Sequence, residues 1–485
     1  MASETDVVLP NSGPSTPQAT VEPHLGMLIG LSALCLLTAS LVIAAAASGL
    51  PRFSAAAQNE ALVAFLAALT VSNYWIGGRN VLYPGFLFSA LWAFTLGLYA
   101  WSPVDIDQIG VQTQIFLASC VALFAVGCFL GSRLPQREGK SVQPPQAPEG
   151  SLADGGRIFM TVCAVAILPL FFRDIVNIAG GFGPDLIARA RLSMLAAAVT
   201  GNQVYSSPIV RSAPNLAVLG ALLVFVDVKR GHRASRFLAP ILIVVALIYG
   251  ILTTGRPQLV QLSTGITAIW IFRQKQHTFL QSVRRVAVPL GCLVLLLAVV
   301  PLLTKAQASD AGTGSNFAGN LFVQYIIGNV AAFDVLFKNP PAVAHTYTYF
   351  PIQAGWNQFW GLSGKGLEGW FVSVPFPMNT YTVFRAVFFD FGFKGPLLFA
   401  TFLGFCHGIL YKRAIAGSAI FVFLYAAYLS PMVMSIFDDM YTGDGILHQC
   451  EILLAAAVYF LVLRDFSWKR QWNMVTSFLK ICARV

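Results

Sequence analysis

Two arginines, Arg189 and Arg191, stand two residues apart in the segment running from Pro184 to Ser193. On a helix they point to different faces, while Arg189 and Ser193 share one. A guanidinium fork matches phosphate oxygens, and outside the cytoplasm such oxygens belong to a lipid-linked phosphate. The competing reading is an interfacial helix whose arginines touch ordinary lipid head groups. A third arginine, Arg256, lies between Gly255 and Pro257, which let the chain reverse within a few residues. An arginine near membrane depth normally faces an interior cavity and has a partner, although a snorkelling anchor has the same composition.

Aromatic side chains gather downstream, where residues 345–376 contain nine aromatics and five glycines. Trp356 and Trp360 are four apart and would form one platform on a helix. Such faces stack on the C–H-rich faces of sugars, and they also form belts that hold a loop on a bilayer. His345 is the histidine of this stretch and a candidate general base. The neighbouring acidic candidates are Asp310, Asp334, Glu368, Asp390, Asp438, Asp439 and Asp444. Asp390 is a candidate base and equally a helix cap or the partner of an arginine. Arg385, five residues before it, is a candidate on physical grounds alone.

The elements that must position these residues follow from composition. The chain has 485 residues, is 56% hydrophobic and only 11% charged, and its mean hydropathy is +0.69. Soluble domains are about a quarter charged, so a soluble globule, a disordered chain and a collagen are all excluded. Apolar runs fall at about 24–48, 60–77, 81–101, 111–131, 157–178, 209–227, 237–254, 257–272, 286–303, 394–411, 417–437 and 446–464. They predict an all-α polytopic membrane protein of about 12 transmembrane helices. The eighth run is among the weakest because it carries Gln258, Gln261, Ser263 and Thr264.

Charge placement orients the chain. Of 31 Lys and Arg, 20 fall on one set of connections, which is expected to be cytoplasmic together with both termini. The net charge of +10 is therefore read as topology, with no nucleic-acid partner. The expected layout is a disordered leader at 1–23, a membrane domain at 24–465 and a basic tail at 466–485. Within the domain, 134–149 is a cytoplasmic linker, and 179–208 and 304–393 are outer loops. The eight cysteines show no disulfide framework or zinc spacing. No Walker loop, dinucleotide fingerprint or HExxH motif occurs, which argues against an ATP-driven pump and a membrane metalloprotease.

Asn379, Tyr381 and Thr382, followed by Asp390, Phe391, Gly392 and Gly395, give the order Asn-x-Tyr-Thr … Asp-Phe-Gly-x-x-Gly. This resembles the signature that follows the large outer loop of bacterial oligosaccharide repeat-unit polymerases, the Wzy type of O-antigen polymerase. Thr254-Gly255-Arg256 is similar to that family's Gly-Ser/Thr-Arg hairpin, and the layout is similar over most of residues 60–465. The resemblance implies a GT-C-like glycosyltransferase of the inner membrane, metal-independent and without a cofactor. It would join undecaprenyl-pyrophosphate-linked glycans in the periplasm, with a chain-length-regulating co-polymerase as partner. Arginines of two outer loops, here Arg189, Arg191 and Arg256, would handle the pyrophosphates. The loop at 49–60 ends in a single Glu60, whereas the metal-dependent branch carries an acidic pair there. An O-antigen ligase shares the arginine logic and differs in its acceptor. A polysaccharide flippase is the leading non-enzyme alternative.

Overall fold

Inside a bilayer every backbone N–H and C=O must be satisfied within its own segment, so long apolar runs fold as helices. The computed structural model describes residues 55–101, 108–135, 153–183, 185–200, 205, 207–228, 233–253, 256–273, 317–339, 372–374, 377–378, 381–442 and 445–463. The expected leader, the spans at 24–48 and 286–303, most of the linker and the basic tail lie outside these residues.

Each of the other ten expected spans is a helix: α1 Ala55–Ile76, α2 Pro84–Ala100, α3 Val111–Arg133, α4 Ala153–Ile178, α6 Pro208–Val228, α7 Arg233–Leu252, α8 Arg256–Phe272, α11 Lys394–Ile415, α12 Ala419–Met434 and α13 Gly445–Ala457. A π-helical turn, Val458–Leu463, extends α13. Among the described residues three segments are both long and apolar enough to cross a membrane: Val111–Arg133, Gly156–Ile178 and Ile209–Asp227. Several others are apolar but shorter, such as the 17 residues of α2. The apolar face of α4 is open along its length, with Phe159 and Val162 each more than half exposed. That is what a lipid-facing helix requires and a water-facing one avoids.

The expected outer loops hold structure of their own. α5 (Leu186–Thr200) occupies the first, and α9 (Phe317–Lys338) and α10 (Arg385–Phe391) the second. Two-residue strands β1 (Val372–Ser373) and β2 (Pro377–Met378) pair antiparallel there, a small departure from the all-helical expectation. Val374 and Tyr381, just outside the strands, pack on Ala331, Ala332 and Leu336 of α9. α9 evades a hydropathy reading because Asn320, Gln324, Asn329 and Asp334 interrupt its apolar residues.

The closest helix pair is α3 with α11. Gly127 and Gly131 face Gly404 and Gly408, and a Cβ on any of the four would collide with a carbonyl oxygen of the opposite helix: Thr401, Phe405, Phe124 or Cys128 respectively. Small residues four apart allow this approach, which matters where the surroundings are as apolar as the interface. The two helices run parallel, since later residues of one meet later residues of the other. A single cluster of buried apolar side chains then extends from Leu66 of α1 to Tyr459 beyond α13.

The bundle therefore has two distinct ends. α3, α6, α8, α11 and α13 start at one of them, which the charge count makes the outer end. At the opposite end Arg157 is 2% exposed and paired with Asp227 of α6 at 3.0 Å. Tyr459 joins them, accepting from Arg157 Nε at 3.2 Å and donating to Asp227. The carboxylate holds the guanidinium inside the bundle.

Candidate functional site

Three helices contribute a polar pair each, in their first two turns and at i,i+3 spacing. They are Ser212 and Asn215 of α6, Gln258 and Gln261 of α8, and His448 and Glu451 of α13. Residues three apart share a helix face, so each helix turns both members of its pair the same way. On α13 the exposed face is Leu447, Cys450 and Leu454, leaving His448 and Glu451 to the interior side.

The six side chains form a hydrogen-bonded relay. Gln258 Nε2 donates to Asn215 Oδ1 at 3.0 Å, and Asn215 Nδ2 donates to Glu451 Oε2 at 2.8 Å. Ser212 also bonds Glu451. His448 Nδ1 lies 3.4 Å from the same carboxylate oxygen, and its Nε2 lies 2.9 Å from Gln261 Nε2. Gln258 Oε1 is buried and has no partner among the described residues. Ionisable and polar groups among membrane helices are costly and mark functional sites by default. This set, an imidazole, a carboxylate, three amides and a hydroxyl, suits a hydroxyl-rich ligand, because each group exchanges hydrogen bonds with O–H.

The residues singled out from the sequence fall partly inside and partly outside the described residues. Arg256 is the first residue of α8, two positions before Gln258; its side chain lies outside the described residues, as do His345, Trp356 and Trp360. Arg189 of α5 donates from Nη2 to the Gly181 carbonyl at 3.1 Å, folding over the turn at Gly180–Gly183. Its Nε is buried without a partner among the described residues. Arg191, two residues on, is half-buried. Both arginines belong to the α4–α6 connection.

Arg385 begins α10 and lies over the Tyr381 ring at 4.3 Å. Asp390 is buried on the same short helix, which ends at Gly392 with φ +60°. The Val383 amide donates to the Ser435 carbonyl at 2.8 Å, tying this segment to the turn before α13. In that turn Asp439 accepts from the amides of Tyr441 and Thr442, both at 2.9 Å, and from the Thr442 hydroxyl. Burial pushes the Asp439 carboxyl above its ordinary value, against the pull of those hydrogen bonds and of Arg385. Asp439 is thus a turn-forming residue. Asp334 has a similar role, accepting from the Gly110 amide at 3.0 Å and the Thr113 hydroxyl at 2.5 Å, which caps α3 from another helix.

The relay itself is what sequence reasoning missed. Gln258 and Gln261 registered there only as a weakness of the eighth span. The usable signal is the repetition: a polar i,i+3 pair soon after the start of three otherwise apolar helices. Among the described residues no three His, Cys, Asp or Glu side chains converge as metal ligands. No family model, curated protein or solved structure matches the chain.

Proposed function

We propose that the chain is a membrane glycosyltransferase. It polymerises undecaprenyl-pyrophosphate-linked oligosaccharide repeat units at the periplasmic face of the inner membrane, with about twelve spans and both termini in the cytoplasm. The observation that carries this reading is the polar relay near the starts of α6, α8 and α13. Arg256 opens α8 two residues before Gln258, and α5 carries Arg189 and Arg191 in the connection that leads into α6. Transfer from a pyrophosphate carrier needs fixed cationic donors for the leaving group and hydrogen-bonding groups for the acceptor sugar. Arg189, Arg191 and Arg256 are the donors in this reading, with Trp356 and Trp360 as a sugar platform. The resemblance at 379–395 supports the same conclusion.

A transporter would concentrate polar groups at the bilayer midplane. The six relay residues sit in the third to eighth positions of their helices, about 3–11 Å along the axis from the helix start. That depth suits a reaction at the membrane edge. The test is deletion of the gene followed by electrophoresis of the surface glycan. A ladder collapsing to one repeat unit on its normal acceptor supports the polymerase. Polymer accumulating on the carrier lipid indicates a ligase, and single units trapped on the cytoplasmic side indicate a flippase.

A further inference from the structure

The orientation of His448 can be read from both of its neighbours. Gln261 Nε2 reaches the His448 Nε2 atom and also the Ala427 carbonyl oxygen, at 3.4 Å. A carbonyl oxygen only accepts, so the atom facing it is the amide NH2 group, and the amide therefore donates to the histidine. His448 Nε2 is then the lone-pair nitrogen. On the other side of the ring, Glu451 Oε2 lies 3.4 Å from Nδ1, and a carboxylate also only accepts. The Nδ1 atom must carry the proton. Two independent constraints select the same tautomer. Its carboxylate is fixed in turn by Asn215 at 2.8 Å and by Ser212.

An imidazole whose Nδ1–H is held by a half-buried carboxylate, with its lone pair at Nε2, is arranged as a general base. Both side chains remain partly open, His448 at 11% and Glu451 at 19%. Gln261 occupies the direction from which a hydroxyl would donate, so an acceptor hydroxyl takes the place of its amide at Nε2.

Resting on the glycosyltransferase reading, we propose that His448 Nε2 takes the proton of the acceptor sugar hydroxyl, with Glu451 as its positioning residue. The hydroxyl oxygen forms a bond to the anomeric carbon of the growing glycan. The bond from that carbon to the pyrophosphate oxygen breaks, and its electron pair leaves with the pyrophosphate. The hydroxyl proton goes to His448 Nε2 and from there to solvent.

The experiment compares full-length wild type, His448→Gln and His448→Ala, reconstituted in liposomes with undecaprenyl-pyrophosphate-linked repeat units. Glutamine keeps hydrogen-bonding capacity at this position but takes no proton at neutral pH. The proposal expects His448→Gln to accumulate and melt like wild type, with kcat lowered about 100-fold or more and KM little changed. It also expects added imidazole to restore part of the activity of His448→Ala. A His448→Gln enzyme within about threefold of wild type would overturn it, since removal of a general base costs far more. So would a His448→Ala enzyme that folds, is inactive and does not respond to imidazole. If wild type itself forms no polymer, the glycosyltransferase reading fails, and that arm is scored before any variant.

Discussion

Asn215 of α6 and Glu451 of α13 meet at 2.8 Å across 236 residues of sequence. The bond joins a helix from the first half of the chain to its last described helix, and it supplies a donor to a carboxylate that apolar surroundings would otherwise penalise. Because Glu451 also receives Ser212 and His448, three donors share one acceptor, and Gln258 and Gln261 of α8 bond two of those donors in turn. The helices' relative rotation is fixed by hydrogen-bond geometry as well as by apolar packing, which is less specific about rotation. The polar relay thus sets both the register of α6, α8 and α13 and the direction in which the His448 ring presents its lone pair.

The α3–α11 contact predicts a sharp contrast between glycines. Gly404→Val places two methyl groups against the Phe124 carbonyl, where even a Cβ collides. The helices must separate, and the protein should fail to accumulate in membranes. At Gly220 of α6 nothing lies within 4 Å of an added Cβ. Gly220→Ala should therefore be neutral or stabilising by up to about 1 kcal/mol through helix propensity. Membrane abundance and melting temperature in detergent check both variants. Equal tolerance at the two positions would mean that α3 and α11 do not pack this way.

The opposite end predicts a different energetic pattern. Asp227→Ala leaves the Arg157 guanidinium, 2% exposed, without its carboxylate. An uncompensated buried charge costs about 3–5 kcal/mol, so the variant should melt well below wild type. Removing both charges in Arg157→Met with Asp227→Leu should cost less than the single change, because neither residual charge is stranded. A double variant worse than Asp227→Ala would show that the pair contributes more than it costs to bury.

These two features differ in how far the sequence disclosed them. Every expected span within the described residues is a helix, since period and length of apolar runs are local properties. The i,i+3 polar pairs were present in the sequence as well, yet their partners lie on other helices. Nothing local tells Gln261 that His448 will face it. The burial of Arg157 is non-local in the same way: its neighbour Asp227 is 70 residues away. α9 was hidden by its polar residues, and one of them, Asp334, proves to be the cap that α3 lacks on its own side.

The turn before α13 gives a pH prediction. Asp439 has its folded-state pKa raised by burial. Below its ordinary value of about 4 the group is neutral in both states and imposes no cost. As pH rises through the raised folded value, the folded protein must accept a buried charge, and stability is lost. Asp439→Asn avoids that loss while its Oδ1 still accepts from the Tyr441 and Thr442 amides. The variant should melt higher than wild type at neutral pH, and the difference should vanish toward about pH 4. Thermal melts across that range check the sign; a variant destabilised at neutral pH would mean that the carboxylate charge itself holds the turn.

Arg256 tests the anionic half of the proposed chemistry. It opens α8 two residues before Gln258, so a phosphate bound there would lie beside the relay and at the positive end of the helix dipole. Arg256→Ala should lower polymerisation about 10²–10³-fold, the range seen when a single transition-state donor is lost, while the protein still accumulates. Arg191→Ala should behave likewise. Arg52→Ala, in the loop at 49–60 to which this reading assigns no phosphate contact, should be close to wild type. Chain-length distributions on gels, normalised to membrane abundance, separate the three. Wild-type chain lengths in Arg256→Ala would remove that arginine from the site and leave pyrophosphate handling to α5.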